Sequence, residues 1–254
     1  MTTRRTLLKG ATAAVLGAAT ASTEALAAPL AEPSLELLMV RELSRALGSE
    51  SVAQKLAPLL FDATMLWSYP QMQAQEANAL IAYSFGNRLT TAADKPPRAP
   101  DATEPGPINA KLAEAVFKIR AIRKMPVYAQ WEIAAILQDT YRMDQVIPIY
   151  PERDADGKLV YLSTEGVAKA VLREAGGAGA LGHVAIVGHR DHVKRCILTS
   201  KSVGLAAAAI SGIPLPVEYD TLSGQPWTRD RATYLLGDIM AQLMMERSAL
   251  LAQL

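Results

Sequence analysis

Residues 79–86, ALIAYSFG, decide the fold class that the sequence predicts. This run is almost entirely apolar and stops at a glycine, which is typical of a short strand buried in a parallel sheet. Comparable runs follow at residues 126–129, 146–150, 184–187 and, more weakly, 205–210. Segments with helical periodicity separate them, and this alternation predicts right-handed βαβ units with helices on both faces of a sheet. We therefore expect an α/β fold, a three-layer Rossmann-like domain with a mostly parallel sheet of about five strands.

The predicted helices lie between and after these strands. Apolar spacings of three and four place them at residues 108–123, 131–141, 164–175, 191–203 and 229–251. In the last helix six apolar residues fall on one side, which predicts an amphipathic helix. These residues are Leu235, Leu236, Ile239, Met240, Leu243 and Met244.

Two further segments flank the first strand. Residues 33–75 show helical spacing of apolar residues, so we assign residues 28–76 to a helical N-terminal extension and residues 77–254 to the Rossmann-like domain. Residues 87–107 contain five prolines and little periodicity. A loop of that length inside a compact domain is usually either functional or disordered. We expect it to cover the cleft of the domain.

The first 27 residues have the order of an export signal. Arg4 and Arg5 precede Leu-Leu-Lys and a long uncharged stretch, and Ala-Leu-Ala at residues 25–27 supplies a small-residue cleavage site. Paired arginines in this setting predict the twin-arginine route. The apolar run carries Glu24 and is shorter than the roughly 18 to 20 residues of a spanning helix. We therefore expect a periplasmic or other extracytoplasmic protein with no stable membrane span after cleavage.

Charge and cysteine content exclude two classes of protein. Removing three positive residues and one negative residue with the signal changes the formal net charge from +1 to −1. Nucleic-acid binding needs a basic face, so a near-neutral body argues against it. Cys196 is the only cysteine, so no disulfide can form within the chain.

Polar residues stand directly after the predicted strands, where open parallel sheets bind their ligands. The first strand is followed by Ser84, Gly86, Asn87 and Arg88. The second strand is followed by Glu132. A carboxylate placed with a histidine such as His192 supplies general acid–base chemistry. A carboxylate favoured by the helix dipole explains Glu132 equally well.

The junction after the strand at residues 184–187 is richer in charge. Its sequence VGHRDHVKRC passes from a strand end into a helix and places His189, Arg190 and Arg195 beside helix N-terminal amides. Such a junction suits a phosphate or carboxylate group. A solvated basic face explains the same residues, and both interpretations stay open.

Two other motifs, a glycine-rich one and a histidine–cysteine one, do not support a ligand site. Residues 177–182 match G-x-G-x-x-G, but they follow a helix and lead into a strand, whereas a dinucleotide fingerprint follows a strand and opens a helix. We interpret them as a flexible connection. His189, His192 and Cys196 have spacings at which imidazole and thiolate can bind zinc or copper. Because His189 precedes the helix and a buried thiol explains Cys196, we do not predict a metal site.

The strand junctions together resemble the SanA/YdcF/ElyC-type family of bacterial envelope proteins. The resemblance covers about residues 79–220 and places Gly86 and Asn87 in the first loop, Glu132 at the acidic position and Thr164 at the start of a helix. Its last signature is matched by residues 187–196, with His192 and Arg195 at the two defining positions. Gly166, Val167, Gly188 and His189 depart from the pattern.

The resemblance implies a Rossmann-like fold and a role in handling envelope polymers. Its conserved polar cleft implies a phosphorylated glycan, a lipid-linked precursor or a nucleotide-like molecule as ligand, and it implies no particular cofactor. We expect Arg190 and Arg195 to hold the anionic group, with His192 as acid–base group and Glu132 as its partner. A non-catalytic module that binds a small anionic ligand remains the alternative, and a metal-binding protein is a weaker third.

Overall fold

A fully parallel six-stranded sheet lies at the centre of the structure, a computed structural model that describes residues 34–254. The predicted export signal lies outside the described residues. Along the chain the helices and strands are α1 (Leu35–Leu47), α2 (Glu50–Met65), β1 (Gln71–Met72), β2 (Ala79–Ala82), β3 (Arg88–Leu89), β4 (Thr103–Glu104), α3 (Gly106–Ile122), β5 (Val127–Gln130), α4 (Trp131–Asp139), β6 (Val146–Ile149), β7 (Glu152–Arg153), β8 (Leu159–Val160), α5 (Thr164–Ala175), β9 (His183–Val187), α6 (Arg190–Ser202), β10 (Ala206–Ile210) and α7 (Arg231–Leu251).

The spatial order of the sheet strands is β1-β10-β9-β2-β5-β6. From β2 the chain adds β5 and then β6 on one side, and it later adds β9 and β10 on the other side. The order therefore reverses between β2 and β9. Crevices at such reversals, beyond the carboxyl ends of the strands, are where open α/β sheets bind ligands.

Alternate residues of β2 enter two different cores, as the apolar run predicts for a strand buried on both faces. Leu80 and Ala82 pack in the core that α3 and α4 cover. Ala79 and Ile81 pack in the core that α5 and α6 cover. All four side chains are at most 1 % exposed. The predicted three-layer α/β fold is thereby confirmed.

The structure departs from the expected elements at the N-terminal side. The helical segment ends at Met65, and Gln71–Met72 form β1, which pairs with β10 at the edge of the sheet. The sheet therefore has six strands rather than about five, and part of the segment assigned to the N-terminal extension belongs to it. Two residues of strand are too few to produce a period in the sequence, because strand signals need several alternating positions.

The proline-rich segment 87–107 also contains secondary structure. β3 and β4 lie within it and pair with each other as a short antiparallel ladder. A second antiparallel pair, β7 and β8, brackets the turn at residues 154–157. The glycine-rich residues 177–182 connect α5 to β9, as expected for an αβ connection.

Helix α2 is fastened to the domain through a buried lysine. Lys194, on α6, is 5 % exposed, and its ammonium group donates to the carbonyl oxygens of Asp62 at 2.6 Å and Leu66 at 2.5 Å. The carboxylate of Asp62 lies 3.1 Å from the same ammonium group. A buried ammonium group needs such partners, so this basic residue has a structural role.

Among residues 34–254 no helix combines the length and the apolar character that a membrane crossing requires.

The orientation of α7 differs from the simple amphipathic expectation. Leu236 and Met240, two of its predicted apolar side, are 72 % and 64 % exposed. The residues that α7 buries are Tyr234, Asp238 and Gln242. The side of α7 that faces the domain is therefore the polar one. Tyr234 and Asp238 on this side line the site described below.

Two leucine variants test this packing. Leu112 on α3 is fully buried, so Leu112→Ala should lower the free energy of unfolding by about 2 to 5 kcal/mol. Leu236→Ala, at an exposed position of α7, should change it by about 0.5 kcal/mol or less. Urea unfolding followed by circular dichroism measures both. Equal losses for the two variants would contradict the described orientation of α7.

Candidate functional site

A cleft of about 780 Å³ opens beyond the carboxyl ends of β2 and β9, where the strand order reverses. This volume lies within the usual range for small-molecule sites. The cleft is lined by Ser84, Phe85, Gly86, Asn87, Asp101, Thr103, Gln130, Leu159, Tyr161, Leu162, Ser163, Thr164, His192, Arg195, Gln225, Trp227, Thr228, Thr233, Tyr234, Gly237, Asp238 and Ala241.

The loop after β2 forms one wall of the cleft and is held by buried amides. The Asn109 side chain accepts from the Phe85 N–H at 2.9 Å and donates to the Gly86 carbonyl at 2.7 Å. The Gln130 side chain accepts from the Ser84 N–H at 2.9 Å. These bonds satisfy backbone groups that lie just beyond the end of β2 and have no partner on a neighbouring strand.

Gly86 is required by both conformation and space. Its φ of +71° favours glycine, and a Cβ atom there would lie 2.6 Å from the Ser223 hydroxyl and 2.7 Å from the Thr228 hydroxyl. The same two hydroxyls bond to each other at 2.7 Å. The sequence interpretation placed Gly86 in a ligand loop, and the structure shows that it lets residues 223–228 approach that loop.

Six of the ten predicted site residues line this one cleft. They are Ser84, Gly86, Asn87, Thr164, His192 and Arg195. They come from three separate stretches of the chain, after β2, at the start of α5 and along α6. The remaining four, Arg88, Glu132, His189 and Arg190, are not among the lining residues.

The base of the cleft contains a buried carboxylate with four donors. Asp238 accepts from Arg195 Nε at 2.5 Å and from the Tyr234 hydroxyl at 3.4 Å. Its other oxygen accepts from Gln242 Nε2 at 2.9 Å. Arg195 also donates to the Thr164 hydroxyl at 2.8 Å, which joins α5, α6 and α7 around one charge pair. Buried charges persist only when they are paired and hydrogen-bonded in this way.

His192 contacts the same carboxylate, so its partner is Asp238 rather than Glu132. Its Nδ1 lies 3.4 Å from Asp238 Oδ1. Burial and, next, the charge of the adjacent Arg195 lower the pKa of His192 to about 4, against the opposing effect of the Asp238 carboxylate. The imidazole is therefore neutral at neutral pH, with Nδ1 carrying the proton, because a carboxylate can only accept. That arrangement leaves Nε2 as an acceptor, the form that a general base needs.

Asp238 itself stays ionised. Burial acts to raise its pKa, but His192 and Arg195 outweigh burial and hold the pKa below its usual value. The charge of Arg195 is thus balanced inside the protein.

Glu132 occupies a separate, fully buried position beneath the cleft. One carboxyl oxygen accepts from the Tyr161 hydroxyl and from Asn87 Nδ2 at 3.5 Å, and Oε2 has no hydrogen-bond partner among residues 34–254. Burial raises the pKa of Glu132 to about 7, and its own backbone amide, Asn87 and Ser84 offset only part of that effect. A carboxyl group with this pKa can carry or accept a proton near neutral pH.

Tyr161 separates Glu132 from the cleft. Its hydroxyl donates to Glu132 and accepts from Asn87 at 2.6 Å and from the Trp131 indole at 3.3 Å. Because Tyr161 lines the cleft while Glu132 does not, a proton from Glu132 reaches a ligand only through Tyr161 or after that side chain moves.

Arg88 and Arg190 form ion pairs away from the ligand space. Arg88 makes two hydrogen bonds to Asp220, at 2.8 and 3.0 Å, which fasten the β3–β4 segment to the loop before α7. Arg190 contacts Asp191 at 3.2 Å. Asp191 is buried and also accepts from Arg231 at 2.8 Å, so this cluster joins the first turns of α6 and α7. Of the two arginines expected to hold an anionic group, only Arg195 lines the cleft.

His189 has a structural role at the first turn of α6. Its ring stacks on Phe85 with 4.0 Å between centroids. Nε2 lies 3.0 Å from the Glu218 carbonyl oxygen, and Nδ1 accepts from the Asp191 N–H at 3.2 Å. Both nitrogens are therefore engaged. Burial lowers the pKa of His189 to about 4, which fixes the neutral form.

The three histidine and cysteine positions considered for metal do not come together as a ligand set. Cys196 is fully buried, and burial raises the pKa of its thiol well above the usual value. Within the described part of the chain no group of three or more His, Cys, Asp or Glu side chains is arranged to hold a metal ion.

The sequence interpretation missed the residues of α7 and of the loop that precedes it. Asp238 and Tyr234 are buried residues of the cleft lining, and Trp227 is an exposed one. The one signal available was a polar residue every four positions, Tyr234, Asp238 and Gln242, inside an apolar helical segment. Such a stripe marks a helix face that contacts polar groups.

No known protein family, no curated protein and no solved structure matches the chain. The resemblance to SanA/YdcF/ElyC-type proteins therefore stays a prediction that rests on the motifs quoted above.

The buried carboxyl group of Glu132 should be visible in the pH dependence of stability. Its folded pKa of about 7 lies above the usual 4.5, so the folded state binds more protons between these values. The contribution to stability is complete below about pH 4.5 and is lost as pH rises through about 7. Between about pH 4.5 and 8 the parent should lose about 3 kcal/mol of unfolding free energy that Glu132→Gln does not lose.

A matched control is Glu165, which has the same place in the first turn of α5 and is exposed. Glu165→Gln should leave the pH dependence of the parent unchanged. Urea titrations at several pH values give the comparison, and parallel curves for the parent and Glu132→Gln would refute the raised pKa.

Proposed function

We propose that the protein is an exported envelope protein of the SanA/YdcF/ElyC type. In this proposal it binds a small ligand with a phosphate or other anionic group in the cleft and acts on it by acid–base chemistry. A phosphorylated glycan, a lipid-linked precursor and a nucleotide-like molecule are the ligands that the resemblance implies. The observation that carries the proposal is His192, neutral and bonded to Asp238 through Nδ1, beside Arg195 at a strand-order reversal.

The chemistry follows from the state of each group. Each guanidinium nitrogen of Arg195 donates one hydrogen bond within the protein, and its two terminal nitrogens each carry a second N–H for a ligand. These donors and the N-terminus of α5, where Thr164 lies, favour an anionic group. His192 Nε2 accepts a proton from a nucleophile or from the ligand, and Asp238 stabilises the imidazolium that results. Glu132, with a pKa of about 7, is the proton donor or acceptor on the opposite side, acting through Tyr161.

A binding module without catalysis is the second candidate, and one observation favours it. Tyr161 covers Glu132, so the second acid–base group does not touch the ligand space. In that case the cleft would hold an anionic ligand and release it unchanged.

Anion binding at Arg195 can be tested with inorganic phosphate as the probe. Arg195→Gln should weaken phosphate binding at least about tenfold, since a hydrogen bond to a charged group contributes roughly 1.5 to 3 kcal/mol. Arg190→Gln, on the same helix but outside the cleft, should bind like the parent. Phosphate-induced shifts in NMR spectra of protein labelled with ¹⁵N-histidine report the binding.

Removing Arg195 leaves Asp238 without its closest partner, so folding of the variant is checked by circular dichroism. Thr164→Val keeps that charge pair and removes only the hydroxyl, and it should weaken phosphate binding less than Arg195→Gln does. Phosphate binding that is absent in the parent, or unchanged in both cleft variants, would rule out the proposed anion site.

Native mass spectrometry of the exported protein identifies a copurified ligand. Turnover of that ligand by the parent but not by His192→Gln distinguishes an enzyme from a binding module.

The export part of the proposal has its own test. Replacing Arg4 and Arg5 together by lysine removes the paired-arginine address while keeping the charge. The variant should stay in the cytoplasm as the uncleaved precursor, whereas the parent should appear outside it without residues 1–27. Cell fractionation with intact-mass measurement shows both species, and equal export of parent and variant would contradict twin-arginine transport.

A further inference from the structure

The outer part of the cleft differs in chemistry from the part around Arg195. We define the outer part by four lining residues that keep solvent exposure, Asp101 and Thr103 from the β3–β4 segment and Gln225 and Trp227 from the loop before α7. These are a carboxylate, a hydroxyl, an amide and an aromatic ring, with no cation among them. Side chains of this kind bind neutral hydroxyl groups rather than phosphates.

Trp227 is exposed although it lines the cleft. Its exposed fraction is 57 %, whereas Trp131 at the start of α4 is 1 % exposed. An indole left open at the mouth of a cleft is a flat apolar surface with a polar edge, and it is available for contact with a ligand.

The backbone that carries Trp227 is held firmly. The neighbouring Thr228 hydroxyl bonds to Ser223 Oγ at 2.7 Å and to the Gln225 carbonyl at 2.9 Å. The Gly224 N–H donates to the Asn87 carbonyl at 2.6 Å, which fixes this segment to the loop after β2. The backbone that carries the indole is therefore positioned before a ligand arrives, which lowers the entropic cost of binding.

The charge of the lining limits the ligand to one anionic group. Arg195 is the only Lys or Arg among the lining residues, and Asp238 already balances its charge. Asp101 adds a further negative charge to the outer part. The described lining offers no second cation for a diphosphate or triphosphate, so we expect a single anionic group at Arg195 and an otherwise uncharged ligand.

We propose that Trp227 is a stacking platform for a sugar ring. The ligand class is then a monosaccharide or short glycan that carries a single phosphate or carboxylate group. The C–H face of a pyranose packs on the indole, and Gln225, Thr103 and Asp101 bond to its hydroxyls. The inference rests on the proposed function only for the anionic group at Arg195.

The test compares ligands that share an anion but differ in the ring. Calorimetry measures binding of two sugar ligands to the parent. Glucose 1-phosphate represents sugars with a phosphate group, and glucuronate represents sugars with a carboxylate group. Glycerol 3-phosphate carries the same phosphate without a ring, and uridine monophosphate carries a base. At least one sugar ligand should bind about tenfold or more tightly than glycerol 3-phosphate and than uridine monophosphate.

Trp227→Ala should remove that preference and leave the affinity for glycerol 3-phosphate unchanged. Trp67, 41 % exposed and outside the cleft lining, provides the matched control, since Trp67→Ala should keep the preference. Sugar binding should also quench tryptophan fluorescence in the parent and in Trp67→Ala but not in Trp227→Ala.

The outcomes separate this inference from the proposed function. Equal affinities with and without a ring, a preference for uridine monophosphate, or a preference that survives in Trp227→Ala would overturn the sugar platform while leaving the anion site intact. A sugar preference that depends on Trp227 but persists in Arg195→Gln would overturn the anion site and leave the platform. If the parent binds none of these probes, both proposals fail.

Discussion

Strand β2 is enclosed on every side, by β9 and β5 along its edges and by a core on each face. A strand in that position has no water to satisfy the groups at its end, so the chain that leaves it must find partners within the protein. Asn109 and Gln130 supply them, and Gly86 lets the loop turn against residues 223–228. These constraints fix the course of the loop that forms one wall of the cleft.

Two buried carboxyl groups near the cleft have pKa values shifted in opposite directions. Asp238 lies among donors, and the charge of Arg195 together with His192 overcomes the cost of burial, so its pKa is lowered. Among the described residues no cation pairs with Glu132, and burial raises its pKa to about 7. Pairs of titratable groups whose environments drive their pKa values apart are typical of acid–base sites. His192, held neutral by burial and by the neighbouring charge of Arg195, completes the set.

The sequence predicts those features that depend on neighbours along the chain. Uninterrupted apolar runs identify β2, β5, β6 and β9, and the residues that follow them identify most of one cleft wall. The partners that come from distant parts of the chain are not encoded in any local pattern. His192 and Asp238 are 46 positions apart, and Glu132 and Tyr161 are 29 apart. Its place after a predicted strand therefore suggests Glu132 as the partner of His192, whereas the packing of α7 supplies Asp238. The same limit explains Arg88, because its partner Asp220 lies far along the chain. Arg190 pairs with its neighbour Asp191, and the sequence does not show that this pair lies outside the cleft lining.

Helix α7 follows every strand of the sheet in chain order, yet it contributes the carboxylate that balances Arg195. During synthesis on the ribosome the sheet can therefore form before the site does. Until α7 emerges and docks, the guanidinium of Arg195 has no counter-charge and His192 has no tautomer fixed by a carboxylate. The finished cleft therefore requires that the chain has been made through α7, whereas the sheet requires it only through β10.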